Sequence, residues 1–318
     1  MPAILNLVTG GAGFIGSSLC RALLERGERV RVLDNFSTGK RDNLRQLAVE
    51  LIEGDAADAD TARRACQGAD YVFHQAALPS VPRSLRQPLE SHRACATATL
   101  VMLEAARQAG VRRFLYAASS SAYGNAPGVP KTESMLPNPC SPYAAAKLAG
   151  ESYCAVYSAV YGLETVSLRY FNVFGPRQDP DSPYSGVLSI FITRLLAGEP
   201  CTIFGDGETS RDFIFIDNVV SANLLARHSP RAPGKVYNLG CGRRVTLNWV
   251  YAFLARALGV DRPPLYAPER EGDVRDSLAD IEAARRDLGY APLVDIEAGL
   301  RATIDWYRQS IPPAKSTA

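Results

Sequence analysis

The chain has 318 residues, of which 47% are hydrophobic and 21% charged, and its 35 Lys and Arg against 33 Asp and Glu leave a formal net charge of +2. This is the composition of an ordinary globular protein of about two domains, and its balanced charge argues against general binding of nucleic acid or anionic membranes. The N-terminus has no basic lead and no long apolar run, which predicts a cytoplasmic protein.

Short apolar segments alternate with amphipathic segments through the first half of the chain. The strand-like segments are 5–8, 30–33, 70–74, 113–117 and 164–169, and the helix-like segments are 17–26, 94–109 and 143–161. Strands that alternate with helices of this length are typical of βαβ units. We therefore expect an α/β fold, a doubly wound parallel sheet with helices on both faces.

The pattern changes in the second half of the chain. Residues 175–186 are rich in Pro, Asp and Ser and predict a loop, which is followed by a helix at 187–197 and a short strand at 201–204. Further helices are predicted at 247–258 and 296–307. These segments indicate a smaller α/β C-terminal lobe packed on the first unit.

Three glycines, Gly10, Gly13 and Gly16, follow the first predicted strand and open the first helix. Residues without a side chain permit a tight turn and let a pyrophosphate approach the backbone at the helix N-terminus. At the end of the second strand, the carboxylate of Asp34 can accept hydrogen bonds from a ribose and would repel a 2′-phosphate. The arrangement predicts binding of NAD rather than NADP, with a purely structural turn as the alternative. Asp55, after a third strand-like segment, is a candidate for the adenine edge.

The seven cysteines and three histidines are scattered along the chain, and none has the spacing of metal-ligand pairs. We therefore predict no metal site and expect the cysteines to be buried free thiols.

Tyr143 and Lys147 are four residues apart and share one face of a predicted helix. A phenol with its ordinary pKa near 10 is a poor base at neutral pH, but the Lys147 cation and a positively charged nicotinamide would both favour the phenolate. Tyr143 is therefore a candidate general base, and Lys147 could also hydrogen-bond the nicotinamide ribose. Core packing of the tyrosine is the alternative.

A run of hydroxyl side chains, Ser119, Ser120 and Ser121, follows the predicted strand at 113–117. Doubly wound folds bind ligands at the carboxyl ends of their strands. A serine hydroxyl at this place can pass a proton between a substrate hydroxyl and Tyr143, whereas capping of the strand end is the alternative.

With these motifs in this order, the sequence resembles the extended short-chain dehydrogenase/reductase family, which has the Rossmann fold, and within it the UDP-hexose 4-epimerases. The resemblance is carried by DNFSTG at 34–39, RYFNVFGPR at 169–177 and REGDV at 270–274. The stretches HQAAL at 74–78, SVPRS at 80–84, RQDP at 177–180 and GDGETSRD at 205–212 are most similar to UDP-N-acetylglucosamine 4-epimerases of bacterial surface-polysaccharide pathways.

The resemblance implies reversible oxidation of the sugar at C4. Tyr143 would take the proton of the 4-hydroxyl with Ser119 in the relay, NAD would accept the hydride from C4, and the 4-keto intermediate would turn its other face before the hydride returns. There is no net redox change, so tightly bound NAD is regenerated in each turnover.

The resemblance also implies the members of the site. The catalytic residues would be Ser119, Tyr143 and Lys147. The NAD-binding residues would be Gly10, Gly13, Phe14, Ile15, Gly16, Asp34, Asn35, Ser37, Thr38, Gly39, Asp55, Ala56, Gln75, Ala76, Ala77, Tyr143, Lys147 and Tyr170. The UDP-sugar-binding residues would be Ser80, Ser119, Ser120, Ser121, Tyr143, Asn172, Val187, Arg211, Arg270, Asp273 and Ser277.

Two of these residues, Arg211 and Arg270, suit a diphosphate because each guanidinium presents a rigid fork of donors to phosphate oxygens. Surface ion pairing is the alternative for both.

The NAD-binding domain would comprise 1–172 with about 212–240, and the UDP-sugar-binding domain 173–211 and 241–318.

Two positions bear on the preferred sugar. Ser277 falls where the family has a residue that lines the sugar pocket, and a small side chain leaves room for an acetamido group. This favours UDP-GlcNAc and UDP-GalNAc, with UDP-Glc and UDP-Gal as further candidates, although a roomy pocket permits a larger substrate without requiring it. Pro79 departs from the glycine of the acetylated-sugar subgroup, and because proline fixes φ and lacks an N–H donor, the sugar contacts there are open.

Other members of the family differ at the serine run. Sugar-nucleotide 4,6-dehydratases have an Asp-Glu pair where this chain has Ser120 and Ser121, so dehydration is disfavoured. The Glu of the UDP-glucuronate decarboxylases is missing as well. A UDP-glucuronic acid 4-epimerase stays open, although 184–187 offers no cation for a C6 carboxylate. A non-catalytic nucleotide-sugar or NAD sensor is a further alternative, against which the intact catalytic residues argue.

Family members commonly form homodimers through two helices of each subunit, and 94–109 and 143–161 are the candidate helices here. Their apolar faces would equally be explained by packing on the sheet. No nucleic acid, membrane or metal partner is expected.

Overall fold

A seven-stranded parallel sheet lies at the centre of the molecule in a computed structural model, which describes residues 4–179, 186–269 and 274–310. In chain order the strands are β1 (Leu5–Thr9), β2 (Arg29–Asp34), β3 (Glu50–Glu53), β4 (Tyr71–His74), β5 (Arg113–Ser119), β6 (Glu164–Tyr170), β7 (Asn172–Phe174), β8 (Thr202–Phe204), β9 (Ser210–Arg211), β10 (Phe213–Phe215), β11 (Lys235–Leu239), β12 (Val245–Thr246) and β13 (Leu265–Ala267). The sheet has the order β11-β6-β5-β4-β1-β2-β3.

The helices cover both faces of this sheet. In chain order they are α1 (Phe14–Glu25), α2 (Ala59–Cys66), α3 (Val81–Arg86), α4 (Pro88–His92), α5 (Ala98–Gln108), α6 (Pro142–Tyr161), α7 (Val187–Leu196), α8 (Ile216–His228), α9 (Leu247–Leu258), α10 (Glu282–Leu288) and α11 (Ile296–Ser310). Helices α1 and α8 belong to the apolar core on one face, and α2, α5 and α6 to the core on the other. Because every strand pair in the sheet is parallel, the predicted doubly wound fold is confirmed.

The second half of the chain adds short strand pairs and helices beside the sheet. Strand β7 pairs with β10 and β8 with β13, both in parallel, whereas β9 and β12 are antiparallel. Strand β11 returns to the central sheet and places Asn238 opposite Arg169 of β6. Among the described residues, no helix combines the length and the apolar character that crossing a membrane requires.

Several predicted bounds differ from the structure. Helix α9 has the predicted bounds, and α1 begins at Phe14 rather than residue 17, so that it follows the glycine turn directly. The helix predicted at 94–109 consists of a π-helical turn at Arg93–Thr97 and then α5, and it is preceded by α4, which the pattern did not reveal. The expectation of buried thiols is wrong for Cys140, which is exposed, and Cys241 is only half-buried.

Candidate active site

A cavity of about 920 Å³ opens at the carboxyl ends of the central strands, where the strand order reverses between β1 and β4. In doubly wound sheets this reversal leaves a crevice for ligands. The predicted NAD-binding residues all line this one cavity: Gly10, Gly13, Phe14, Ile15, Gly16, Asp34, Asn35, Ser37, Thr38, Gly39, Asp55, Ala56, Gln75, Ala76, Ala77, Tyr143, Lys147 and Tyr170.

The glycine turn has no room for a side chain at Gly10 or Gly16. Gly10 has a φ of +67°, and a Cβ at this residue would lie 2.8 Å from the backbone nitrogen of Ala76. A Cβ at Gly16 would overlap the carbonyl oxygen of Gly10. The turn therefore presents bare backbone and the N-terminus of α1 to the cavity, and both suit a pyrophosphate. These residues fit NAD.

Asp34 lies at the end of β2, on the cavity wall. Its two carboxylate oxygens accept hydrogen bonds from the backbone nitrogens of Ala12 at 2.9 Å and Phe36 at 2.8 Å. Each oxygen has a second lone pair for a further donor. Burial raises the pKa of this carboxyl, an effect that the two backbone hydrogen bonds oppose. The carboxylate thus joins the glycine turn to the loop after β2, and it stays a candidate acceptor for a ribose hydroxyl.

The second predicted carboxylate, Asp55, is held by the protein itself. One oxygen accepts from the backbone nitrogen of Ala57 at 2.8 Å, and the other pairs with the guanidinium of Arg93 at 2.6 Å. Arg93 begins the π-helical turn, and Ala94 within this turn also lines the cavity. The sequence did not reveal this link between the two walls, because the partners lie far apart in the chain.

The predicted base lies in the first turn of α6. The hydroxyl of Ser141 caps this helix by accepting from the backbone nitrogen of Ala144 at 3.2 Å. Tyr143 and Lys147 both line the cavity together with Ser119, the last residue of β5. The structure therefore brings together the three predicted catalytic side chains.

Burial has the largest effect on the pKa values of Tyr143 and Lys147 in this part of the cavity wall. Burial raises the pKa of the Tyr143 phenol above its ordinary value, while interaction with the Ser119 hydroxyl lowers it. Burial also lowers the pKa of Lys147, whose ammonium nitrogen lies 4.7 Å from the ring centroid of Tyr116. The sequence predicts that the Lys147 cation lowers the pKa of the phenol, but in the protein alone desolvation raises it.

Behind Lys147, the imidazole of His74 is neutral because burial lowers its pKa to about 3. Its ring nitrogens lie 2.7 Å from the Thr9 hydroxyl and 3.1 Å from the Thr99 hydroxyl. The backbone nitrogen of Ala76 donates to the same Thr9 hydroxyl at 3.2 Å. This series of hydrogen bonds fixes the end of β4 beside the cavity.

A second cavity of about 280 Å³ holds three of the predicted UDP-sugar residues, Asn172, Val187 and Arg211. Val173 and Gln178 line both cavities, so the two form neighbouring parts of one site.

The guanidinium of Arg211 is held by hydrogen bonds to two backbone carbonyl groups. It donates to the carbonyls of Ser210 at 2.9 Å and Arg275 at 3.3 Å. A cation on this wall is suited to a diphosphate.

The other predicted UDP-sugar residues are distributed unevenly. Ser80 lines the larger cavity with Ser119 and Tyr143, and Pro79 lines it as well. Three predicted serines line neither of these two cavities: Ser120, Ser121 and Ser277. Two predicted residues, Arg270 and Asp273, lie outside the described residues.

The structure adds cavity residues that the sequence analysis did not assign. The Lys40 ammonium pairs with the Asp179 carboxylate at 2.8 Å, and both line the larger cavity. Gln178 lies in the motif at 177–180 and could have been assigned from it. Trp306 of α11 also lines the cavity, but no local pattern marks it as a site residue.

Comparison with known proteins shows the family to which the chain is similar. The model of the NAD dependent epimerase/dehydratase family matches residues 6–240. The UDP-glucose 4-epimerase of Mycolicibacterium smegmatis is 40% identical over 309 residues, which cover 95% of this chain and 98% of that protein.

Two solved structures are similar over nearly the whole chain. The UDP-glucose 4-epimerase of Thermotoga maritima, solved with UDP-glucose, has a TM-score of 0.93 and 41% identity, covering 97% of this chain and all of that one. The UDP-N-acetylglucosamine 4-epimerase of Methanobrevibacter ruminantium, solved with UDP-N-acetylmuramic acid, has a TM-score of 0.93 and 39% identity, with coverage of 98% and 100%.

Proposed function

The chain belongs to the NAD dependent epimerase/dehydratase family, as its motifs predicted, and from that premise we propose that it interconverts UDP-hexoses that differ at C4. The enzyme class is that of the NAD-dependent UDP-sugar 4-epimerases, which are isomerases. The observation that carries the proposal is that Ser119, Tyr143 and Lys147 line the same cavity as the glycine turn. This shared cavity supports a role of the three side chains in proton transfer next to a bound cofactor.

We propose that side chains of this protein accept, hold and return one proton during the reaction. The Tyr143 oxygen, with the Ser119 hydroxyl as relay, accepts the proton of the sugar 4-hydroxyl and later returns it to the 4-keto oxygen. When bound, NAD supplies a reversible hydride acceptor for C4 and a positive charge beside the phenol. We propose that the Lys147 ammonium holds the nicotinamide ribose and that its charge favours the phenolate when NAD is bound.

The cofactor and the UDP-sugar are proposed to bind mainly to different parts of the chain. We assign the cofactor to 1–172 with about 212–240, and the UDP-sugar to 173–211 and 241–318. The return of β11 to the central sheet and the position of Arg211 in the smaller cavity support this division. Five residues of the assigned UDP-sugar part also line the larger cavity and are exceptions to the division: Val173, Arg177, Gln178, Asp179 and Trp306.

The preferred sugars are proposed to be UDP-GlcNAc and UDP-GalNAc, with UDP-Glc and UDP-Gal as further substrates. The similarity to a UDP-N-acetylglucosamine 4-epimerase supports an acetylated sugar. The small side chain of Ser277 supports it only through the family resemblance, because Ser277 lines neither cavity. The test incubates the protein with each of these four and with UDP-glucuronic acid, and resolves the products by NMR.

The outcomes of this assay separate the candidates. Inversion at C4 of the acetylated pair supports the proposal, and inversion of UDP-glucuronic acid alone assigns the uronic substrate instead. Binding of NAD and UDP-sugar without turnover would identify a sensor. A Ser277→Tyr variant is expected to lose activity on the acetylated pair and to keep activity on UDP-Glc, with Ser277→Ala as the matched control.

We further propose that two copies associate through α5 and α6. Four apolar side chains on α6 are exposed, namely Tyr153, Val156, Val160 and Tyr161. Light scattering is expected to give the mass of a dimer for the unaltered protein and of a monomer for Val156→Asp with Val160→Asp. The control is Leu136→Asp, an exposed leucine in the loop before α6. A monomeric unaltered protein contradicts the proposal.

A further inference from the structure

Two buried charged side chains near the site have no part in the chemistry described above. Glu151 lies on α6, one turn beyond Lys147 and two turns beyond Tyr143, and Arg169 lies on β6. The guanidinium donates Nε to one carboxylate oxygen at 2.8 Å and Nη2 to the other at 2.6 Å. Their side chains are only 9% and 3% exposed. A bidentate pair has a restricted geometry, so it fixes α6 relative to β6.

The same guanidinium also contacts the turn that follows Ser119. The central carbon of Arg169 lies 4.7 Å from the ring centroid of Tyr123, which closes this turn. The hydroxyl of Tyr123 donates to Asn238 on β11 at 2.6 Å. Arg169 therefore connects the helix that carries Tyr143 with the turn next to Ser119.

We propose that Glu151 and Arg169 are positioning residues that set the distance between the Tyr143 phenol and the Ser119 hydroxyl. The inference rests on the proposed function, which assigns proton transfer to those two groups. Neither Glu151 nor Arg169 lines either cavity, so they act through other residues rather than on the substrate.

The expected effect is on the chemical step. Proton transfer needs its partners within hydrogen-bond distance, and a misplacement of about 1 Å can slow a reaction by about 100-fold. Loss of the pair should therefore lower kcat. It should leave KM for the UDP-sugar and the amount of bound NAD nearly unchanged.

The alternative is that the pair only stabilises the fold, and a change of both residues distinguishes the two roles. A buried ion pair can often be replaced by apolar side chains of similar volume without loss of stability. The variant Glu151→Leu with Arg169→Met is therefore expected to fold while it lacks the connection. Arg169→Lys is a second variant, because lysine keeps the charge but lacks the bidentate fork.

The amino ends of the strands provide a matched control. Arg227 and Glu28 form a buried pair whose side chains are 1% and 11% exposed, and two guanidinium nitrogens bind the two carboxylate oxygens. Like Arg169, Arg227 lies over a tyrosine ring, with 5.1 Å between its central carbon and the ring centroid of Tyr71. The control variant is Glu28→Leu with Arg227→Met.

The experiment measures kcat, KM and bound NAD for the unaltered protein and the variants. We expect kcat to fall about 10- to 100-fold in the Glu151 and Arg169 double variant, with KM within about twofold. A smaller fall, above about threefold, is expected for Arg169→Lys. The control variant should keep its kcat within about twofold.

Three results would overturn the inference: a kcat within about threefold in both site variants, an equal fall in the control, or a fall accompanied by loss of NAD and a higher KM. An unaltered protein that inverts no UDP-sugar contradicts the proposed function, and the positioning role with it.

Discussion

At the amino edge of the central sheet, charged side chains close the starts of the strands, whereas at the carboxyl edge the strand ends open into the larger cavity. Arg113 at the start of β5 pairs with Glu164 at the start of β6 at 2.6 Å. Its guanidinium also donates to the carbonyls of Ala226, Arg227 and Ser229 at 2.7 to 2.9 Å. At the other edge, the bare backbone of the glycine turn faces the cavity.

The difference separates stability from activity within one sheet. Removing one member of a buried ion pair leaves an uncompensated charge and destabilises the fold. Groups that line the cavity at the carboxyl edge are available to ligands, so their loss affects binding or chemistry first. Substitutions at the two edges should therefore give opposite results in activity and unfolding measurements.

The largest effect is expected at the carboxyl edge, for Tyr143→Phe. Removal of the phenol oxygen deletes the proposed proton acceptor, and general acid–base groups contribute about 100- to 10,000-fold to rate. We expect kcat to fall by that range while the melting temperature and bound NAD stay nearly unchanged. Full activity in the variant would show that Tyr143 is not the base.

At the amino edge, Glu28→Gln tests the stability side of the comparison. The variant leaves Arg227 buried without its charged partner, so the free energy of unfolding should fall by about 3 kcal/mol. The kcat should be unchanged, since this pair lies at the opposite edge from the cavity. Glu53→Gln is the control, because Glu53 forms an exposed pair with Arg41 and should lose at most about 1 kcal/mol.

The effect of Glu28 should depend on pH. The hydrogen bond from Arg227 lowers the pKa of this carboxyl from 4.5 to about 2. Its stabilisation is therefore fully present above pH 4.5 and is lost as the pH falls toward 2. Denaturant titrations should show that the stability gap between the unaltered protein and Glu28→Gln closes in this interval. A gap that stays constant there would contradict this account.

A smaller effect is expected in the second cavity, for Arg211→Met. Hydrogen bonds to charged groups contribute about 1.5 to 3 kcal/mol, so KM for the UDP-sugar should rise by about 10- to 100-fold. The amount of bound NAD should stay the same. Arg194→Met on α7 is the control, since Arg194 is exposed and its guanidinium donates to the carbonyl of Pro200. An unchanged KM in Arg211→Met would remove Arg211 from the UDP site.

The smallest effect is expected for Lys40→Met. The pair between Lys40 and Asp179 joins two walls of the larger cavity, but both side chains are partly exposed, and such pairs contribute at most about 1 kcal/mol. Release of NAD should accelerate about two- to fivefold, with a smaller difference at high salt. Arg41→Met changes the neighbouring pair outside the cavity and should leave the release rate unaltered. Equal rates in all three proteins would exclude a retaining role.

Local signals in the sequence predicted much of this site. These signals are the spacing of the glycines, an acid at a strand end, and a tyrosine and a lysine one helical turn apart. Each of them depends only on residues that are close together in the chain. Because the carboxyl ends of parallel strands meet at one edge, these separate motifs converge on one cavity. In the structure, Gly10, Asp34 and Tyr143 accordingly all line the larger cavity.

Contacts between distant parts of the chain could not be predicted in the same way. The pairing of Asp55 with Arg93, and of Glu151 with Arg169, depends on which elements pack together. Trp306 reaches the cavity only because α11 packs beside β10 and α7. The π-helical turn at Arg93–Thr97 has no apolar period of its own, so the sequence pattern predicts a regular helix there.

The most direct test of the central claim follows C4 inversion from both sides by NMR, with the protein, UDP-GlcNAc or UDP-GalNAc, and no added NAD. If the carboxyl edge holds the cofactor and returns it unchanged after each turnover, both reactions should converge on the same epimer ratio, with many turnovers per protein molecule. Absence of inversion from either side, with UDP-Glc and UDP-Gal equally inert, would contradict the account.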